Sequence, residues 1–381
     1  MSKTTINKAT EAAEHPILLE TQAQLDKAQK IWNQSKILGI DTEFVRERTY
    51  RADLGLVQVS DGETAWLFDP LTIRTYQQLA DTLTNPGIVK VLHSGSEDME
   101  VLMNATGVVP TPLVDSQIAC AMLGQPLQLG YHHALKWLFD VVIDKDQTRS
   151  NWCKRPLNPR QLHYAAMDVV LLPEMLKTLK PRLESAGRWA WLEEDVARMQ
   201  RNALNQVEPD KAYLRFSGIG RMDDATLRVM KYLARWREET ARERNRARGF
   251  VISDAAMLQM AREKPASLEQ IKANENIHPV AISLYGDILL QLIFEAASDS
   301  TTLTRLKPLD DRQRRQLKEM RKVVLYRSSE LAVDPALLAS RRELEKLLRA
   351  EAEEAPRPDR FLGWRKEIIT NELLAVGGTN R

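Results

Sequence analysis

The residues Ile40-Asp41-Thr42-Glu43-Phe44 close an apolar run and set two carboxylates two positions apart. On a strand, side chains alternate between faces, so Asp41 and Glu43 would project side by side. Carboxylates that close repel each other unless cations sit between them. A strand end open to water would instead leave both simply hydrated. Two later acids bear on the choice. Asp98 falls in the first turn of a helix that follows the apolar run 89–93, where a side chain can reach across the end of a sheet. Glu97 and Glu100 are its rivals, and a capping or helix-dipole role is the plainer use. Asp168 lies on a helix opened by Asn158-Pro159, an N-cap followed by an N1 proline. Tyr164 precedes it by four residues, and an i, i+4 pair shares one helix face, although a helical tyrosine is more commonly half buried against a sheet. Four carboxylates without a His/Cys cluster suit hard, oxygen-seeking cations such as Mg²⁺ or Mn²⁺. Two such ions about 3.5–4 Å apart can activate water and stabilise the leaving 3′ oxygen in phosphodiester hydrolysis.

Acids on one strand and two helices need a sheet to bring them together. Residues 37–44, 54–60 and 64–68 read as strands, the last two joined through Asp61-Gly62, a hairpin signal. A helix is expected over 73–83, a buried strand over 88–93, a helix over 97–105 and a short strand at 113–114, with helical patterning from about 116 to 200. The sum is an α/β domain, a mixed sheet with flanking helices. Beyond about residue 206 strand-like runs nearly vanish and Arg-rich amphipathic helices take over. The stretch 297–308 reads as a linker between two helical modules. Shifting the chain by 80 residues lays Asp254, Ala256, Leu258 and Arg262 onto Asp334, Ala336, Leu338 and Arg342, a faint sign of duplication.

With 381 residues, 43% hydrophobic and 28% charged, the chain suits two or three ordinary globular domains and excludes a collagenous or wholly disordered protein. Two cysteines, Cys120 and Cys153, exclude a disulfide framework and a Cys-rich zinc module. No signal-peptide core and no run of roughly 18 apolar residues is seen, so the expected address is the cytoplasm, away from membranes. The net charge of +2 hides a split: −4 over residues 1–200 and +6 over 201–381. That suits carboxylate or metal chemistry in one half and a polyanion partner for the other, though solvated helix faces give the same numbers. No phosphate-binding glycine loop, dinucleotide fingerprint or nucleophile elbow is present. The pair His132-His133 invites a metal, but neighbouring helical residues diverge by about 100°. Cys120 sits in an apolar helical run and reads as core.

The order Asp-x-Glu, Asp, Tyr-x-x-x-Asp resembles the DEDD exonuclease superfamily, on its tyrosine branch, and more closely the bacterial ribonuclease D family. Supporting residues are Leu56-Val57-Gln58-Val59, His93 ahead of Asp98, Asp115-Ser116-Gln117, Trp152, Arg155-Pro156-Leu157 and Tyr164-Ala165-Ala166-Met167-Asp168. The likeness spans roughly residues 15–200; Asn151, where that family often has an acid, departs from it. It implies a ribonuclease-H-like fold on which Asp41, Glu43, Asp98 and Asp168 hold two divalent cations. It further implies that Glu43 touches the terminal ribose, that Phe44 packs against the terminal nucleotide, and that Trp152 and Arg155 serve substrate binding. The superfamily's other branch uses histidine, and His163 is five residues before Asp168. On a helix Tyr164 sits about 40° round from Asp168 and His163 about 140° away, which favours Tyr164. A phenol with a pKa near 10 is a poor base at neutral pH, so its expected part is to orient the attacking water.

Residues 230–248 carry seven Lys/Arg and three Glu with Tyr232 and Trp236 at helical spacing. Trp236-Arg237, Ala241, Arg244-Asn245 and Arg248, followed by Val251, Asp254 and Leu258, resemble an HRDC module, a small helical domain associated with nucleic-acid or protein contacts. The expected plan is an exonuclease domain over 1–206, an HRDC domain over 210–295 and a divergent second copy over 309–381, with Gly363-Trp364-Arg365. The resemblance implies a hydrolytic 3′→5′ exoribonuclease that trims structured RNA such as tRNA precursors and releases nucleoside 5′-monophosphates; the sequence leaves the oligomeric state open, with a monomer favoured. The same acids would serve a DNA exonuclease, and a non-catalytic RNA-binding scaffold is the rival of another class. No residue here can be assigned to a 2′-hydroxyl, so RNA over DNA stays open at this level.

Overall fold

The apolar run that ends in Asp41 and Glu43 is a central strand. A computed structural model describes residues 3–143, 150–205, 208–301, 303–305 and 308–378. Its strands are β1 (Ile17–Leu19), β2 (Ile37–Val45), β3 (Asp53–Ser60), β4 (Ala65–Phe68), β5 (Val89–Leu92) and β6 (Leu113–Asp115), in the spatial order β1-β4-β3-β2-β5-β6. The parallel pairs are β1 with β4, β2 with β5 and β5 with β6, while β3 and β4 are antiparallel. The mixed α/β sheet expected from the sequence is therefore present. The expected helix at 73–83 starts later, at Gln77, and β1 is an edge strand too short to read from pattern.

Around the sheet run α1 (Lys3–Glu14), α2 (Gln22–Trp32), α3 (Gln77–Thr84), α4 (Ser96–Thr106), α5 (Ser116–Met122), α6 (Tyr131–Phe139), α7 (Pro159–Val170), α8 (Leu172–Ser185) and α9 (Trp189–Leu204). Close approach fixes the sheet against two of these helices. A Cβ on Gly39 of β2 would lie 2.5 Å from the Val169 carbonyl and 2.8 Å from Leu172 Cβ, so only glycine lets β2 meet the junction of α7 and α8.

The chain divides into two compact units. One joins residues 1–45 and 54–205 with 311–381; the other joins 46–53 with 206–310. Within the first, α15 (Asp311–Leu331), α16 (Pro335–Leu338), α17 (Arg341–Ala352) and α18 (Asn371–Gly378) follow the sheet domain. Arg365 forks onto Asp195 of α9 at 2.6 and 2.7 Å, with both groups buried, and Trp364 stacks on Trp191 with centroids 4.5 Å apart. Burial would raise the Asp195 pKa, but the Arg365 hydrogen bonds and charge bring it below the usual carboxylate range.

The second unit contains α10 (Asp224–Glu243), α11 (Arg248–Val251), α12 (Asp254–Glu263), α13 (Leu268–Lys272) and α14 (Pro279–Ser298). Leu227, Met230, Leu233, Ala256, Met257 and Leu289 form its core. The expected boundary at 206 misses residues 46–53, which pack here. Tyr50 donates to Glu238 at 2.5 Å, Arg248 donates to both, and the Ala247 N–H donates to the Arg48 carbonyl. Arg244 reaches the Tyr285 hydroxyl at 3.2 Å. Arg237, Arg242 and Arg248 of the basic stretch are thus tied into this unit, while Arg235, Arg244 and Arg246 stay exposed. Contrary to the sequence expectation, α14 is long and apolar enough to cross a membrane, with a hydropathy of 1.6. Its Tyr285, Leu289, Ile293 and Ala296 are nevertheless buried in this unit's core. Of the expected linker, Thr302, Leu306 and Lys307 lie outside the described residues.

Candidate active site

Three elements deliver the acids. Asp41 and Glu43 come from β2 and Asp168 from α7, and one carboxylate oxygen from each lies within 4.8 Å of the others. Asp98 comes from the first turn of α4; it is 8% exposed and accepts a 2.5 Å hydrogen bond from Thr42, while its rival Glu97 is exposed. The direction in which α7 presents its face is set at its start. Asn158 accepts from the Gln161 N–H and Gln161 accepts from the Asn158 N–H, both at 3.0 Å, a reciprocal capping box with Pro159 at N1.

The electrostatics of the group are unusual for a protein interior. Burial raises the Asp41 pKa, and the charges of Asp98, Asp168 and Glu43 raise it further. Glu43 is pushed to about 9 by burial, then by Asp168 and Asp98. Burial takes Asp168 to about 7 against a lowering hydrogen bond from Tyr164, and takes Asp98 to about 6 against the hydrogen bond from Thr42. Among the described residues no basic side chain lies close enough to offset these charges. Oxygen-only donors that repel one another in a partly buried site fit hard divalent cations.

Tyr164 hydrogen-bonds Asp168, and burial and the surrounding acids hold its phenol protonated far above neutral pH. His163 is engaged elsewhere: its Nδ1 lies 3.2 Å from the Ala13 carbonyl and 3.8 Å from Glu14, both on α1. Phe44 follows Glu43 at the end of β2 and is partly exposed. Trp152 and Arg155, expected on the substrate side, are placed as supports. Trp152 is 2% exposed, its ring 6.1 Å from that of Tyr164, and a Cβ on Gly55 would lie 2.7 Å from its carbonyl. Arg155 forks onto Asp69 at 2.6 and 2.7 Å and donates to the Gly55 and Trp152 carbonyls, which leaves it little capacity for a phosphate.

His93 bridges Ser116 and the Leu129 carbonyl, at 2.8 Å each, and Asp115 caps α5 while accepting from the Gly95 N–H that opens α4. Asp115 therefore ties the start of the helix carrying Asp98 to α5, and His93 ties the end of β5 to α5 and the Leu129 loop. The rings of His132 and His133 do meet, with centroids 3.7 Å apart, which helical divergence did not anticipate. No third ligand joins them among the described residues. Cys120 is fully buried, and burial pushes its thiol up to about 12. Two contributors escaped the sequence reading. Thr42 was legible only as the residue between two acids. Tyr131, which donates to the Met167 carbonyl at 3.2 Å, gave no signal, since its partner is 36 residues away.

A mixed sheet whose central strand and two helices bring four carboxylates together suits metal-dependent phosphodiester hydrolysis. Residues 16–184 match the family described as 3′-5′ exonuclease, and residues 226–293 match the HRDC domain. Ribonuclease D of Pseudomonas paraeruginosa is 37% identical over 361 residues, 93% of this chain and 96% of that protein. Ribonuclease D of Escherichia coli is 33% identical over 343 residues, 88% and 91% of the two chains. The crystal structure of Escherichia coli RNase D superposes with a TM-score of 0.89 at 31% identity, covering 95% of this chain and 98% of that one. The chain belongs to the ribonuclease D family. It is a 3′→5′ exoribonuclease of a class that works with divalent metal ions.

Proposed function

We propose that the protein trims the 3′ ends of structured RNA, tRNA precursors among them, and releases nucleoside 5′-monophosphates. Asp41, Glu43, Asp98 and Asp168 would hold two divalent cations, Mg²⁺ or Mn²⁺. The observation that carries this is the cluster of Asp41, Glu43 and Asp168, with Asp98 close enough for its charge to act on Asp41 and Glu43, all four with raised pKa values. The structured-RNA substrate rests on the Escherichia coli relative, described as an exoribonuclease involved in structured RNA processing. A monomer in the cytoplasm is the form this reading expects.

Bound cations would neutralise charge on the scissile phosphate and supply a nucleophile at neutral pH. The chain's own residues do the rest. Tyr164, a protonated phenol fixed on Asp168, orients the attacking water rather than removing its proton. Glu43 and Phe44, adjacent at the end of β2, would meet the terminal ribose and nucleotide. Trp152 backs Tyr164, and Arg155 ties β3 to the loop that carries Trp152.

A second HRDC-like module over 309–381 is supported by element order. The helical pieces α11, α12 and α14 begin at 248, 254 and 279; α16, α17 and the turn that leads into α18 begin at 335, 341 and 366, each 87 residues later. Ser253 and Ser340 then cap equivalent helices. The register is 87 rather than the 80 suggested by side-chain matches. The function is tested with end-labelled RNA and DNA of one sequence in Mg²⁺. Stepwise shortening from the 3′ end, faster for RNA, is expected; internal cuts or a preference for DNA would contradict it.

A further inference from the structure

The first helix precedes the segment that matches the exonuclease family, which begins at residue 16. It is nonetheless built into the sheet domain. Ala9 and Ala13 are fully buried, small enough to let α1 lie against α7, and His163 of α7 meets the last turn of α1 through the Ala13 carbonyl. Between them is a cavity of about 680 Å³. Thr10 and Glu14 of α1 line it together with Arg160, His163, Tyr164 and Asp168 of α7 and residues 141–143. Two of those groups belong to the site of hydrolysis, so whatever enters the cavity is next to the reacting phosphate. Its volume is within the roughly 300–1,000 Å³ of small-ligand sites.

Resting on the nuclease reading above, we propose that α1 is a wall of the substrate path, and that this cavity holds a nucleotide of the RNA strand beside the carboxylates. The lining is polarised for one. Arg160 sits in the first turn of α7, where the helix dipole and the guanidinium both favour a phosphate. Among the described residues no acid pairs with Arg160. Across the cavity Glu14 disfavours phosphate. Val142, 76% exposed, offers an apolar surface against which a base can pack. Phosphate toward α7 and base toward α1 and residues 141–143 is the arrangement these groups select.

The test uses the full-length protein with Thr10→Trp, which fills the cavity from α1, and Arg160→Ala, at an exposed position that does not threaten folding. Affinity for adenosine 5′-monophosphate is measured by calorimetry. The specificity constant is measured for a single-stranded oligoribonucleotide and for bis(p-nitrophenyl) phosphate, which carries neither ribose nor nucleobase nor a neighbouring nucleotide. Both variants should weaken nucleotide affinity about tenfold, and the oligonucleotide constant should fall about tenfold further than that of the small diester. Wild-type nucleotide affinity in both variants, or an equal loss on both substrates, would overturn the wall. Failure of the wild-type protein to cleave either substrate would mark the nuclease reading as wrong. Even then, the nucleotide affinities would still decide for or against the cavity.

Discussion

Two sets of buried carboxylates in this molecule meet opposite surroundings. Glu238, in the helical unit, is 1% exposed, and burial alone would raise its pKa. Hydrogen bonds from Arg248 and Tyr50 and the charges of Arg248 and Arg242 more than offset that and hold it at about 2. Around the end of β2 burial raises Asp98 and Asp168 to about 6 and 7, and burial together with the charges of Asp168 and Asp98 raises Glu43 to about 9. A buried acid with its cations built in contributes to the fold. A group of buried acids without them weakens the fold and receives cations from solution. The difference separates architecture from chemistry more sharply than residue type or burial could.

The comparison is most easily broken at the acids. Asp41→Asn or Asp168→Asn should reduce RNA turnover by orders of magnitude while the metal-free protein melts no lower than wild type, because a repelling charge is gone. Near-full activity in either purified variant would sink the metal reading. Tyr164→Phe should cost about a hundredfold in turnover, the scale of a positioned proton-handling group. His163→Ala, whose ring is engaged by α1, should cost far less; the opposite order would move the chain to the histidine branch. On the other side of the comparison, Glu238→Gln keeps the shape and removes the charge. It should destabilise the helical unit by about 2 kcal/mol in denaturant titration. If its stability were unchanged, the Arg242–Glu238–Arg248 cluster would be decorative.

Local signals in the sequence carried the catalytic half well. Alternation on a strand placed Asp41 and Glu43 together, and Asn158-Pro159 announced the helix on which Tyr164 and Asp168 share a face. Partnerships between distant residues were not legible. Arg155 finds Asp69 across 86 residues, and Tyr50 finds Glu238 across 188, so an arginine suited to phosphate and a basic run suited to RNA are in part internal ties. The shift of 80 drawn from matching side chains does not agree with the 87-residue spacing of the helix starts, because helical patterning repeats every turn and lets unrelated residues match. Nothing in the pattern of residues 3–14 showed that they pack beside the acids.

The most direct measurement of the central claim is melting temperature against pH, with and without Mn²⁺. An acid whose pKa is higher folded than unfolded binds protons preferentially in the folded state, so stability falls as pH rises. Unfolded Asp and Glu titrate near 4, and the folded acids titrate at about 6, 7 and 9. The metal-free protein should therefore lose stability between pH 5.5 and pH 8. Mn²⁺ should restore it, more strongly at pH 8, and Asp168→Asn should flatten both responses. A metal-free melting temperature that is level or rising over that range, with no response to Mn²⁺ at pH 8, would contradict the account.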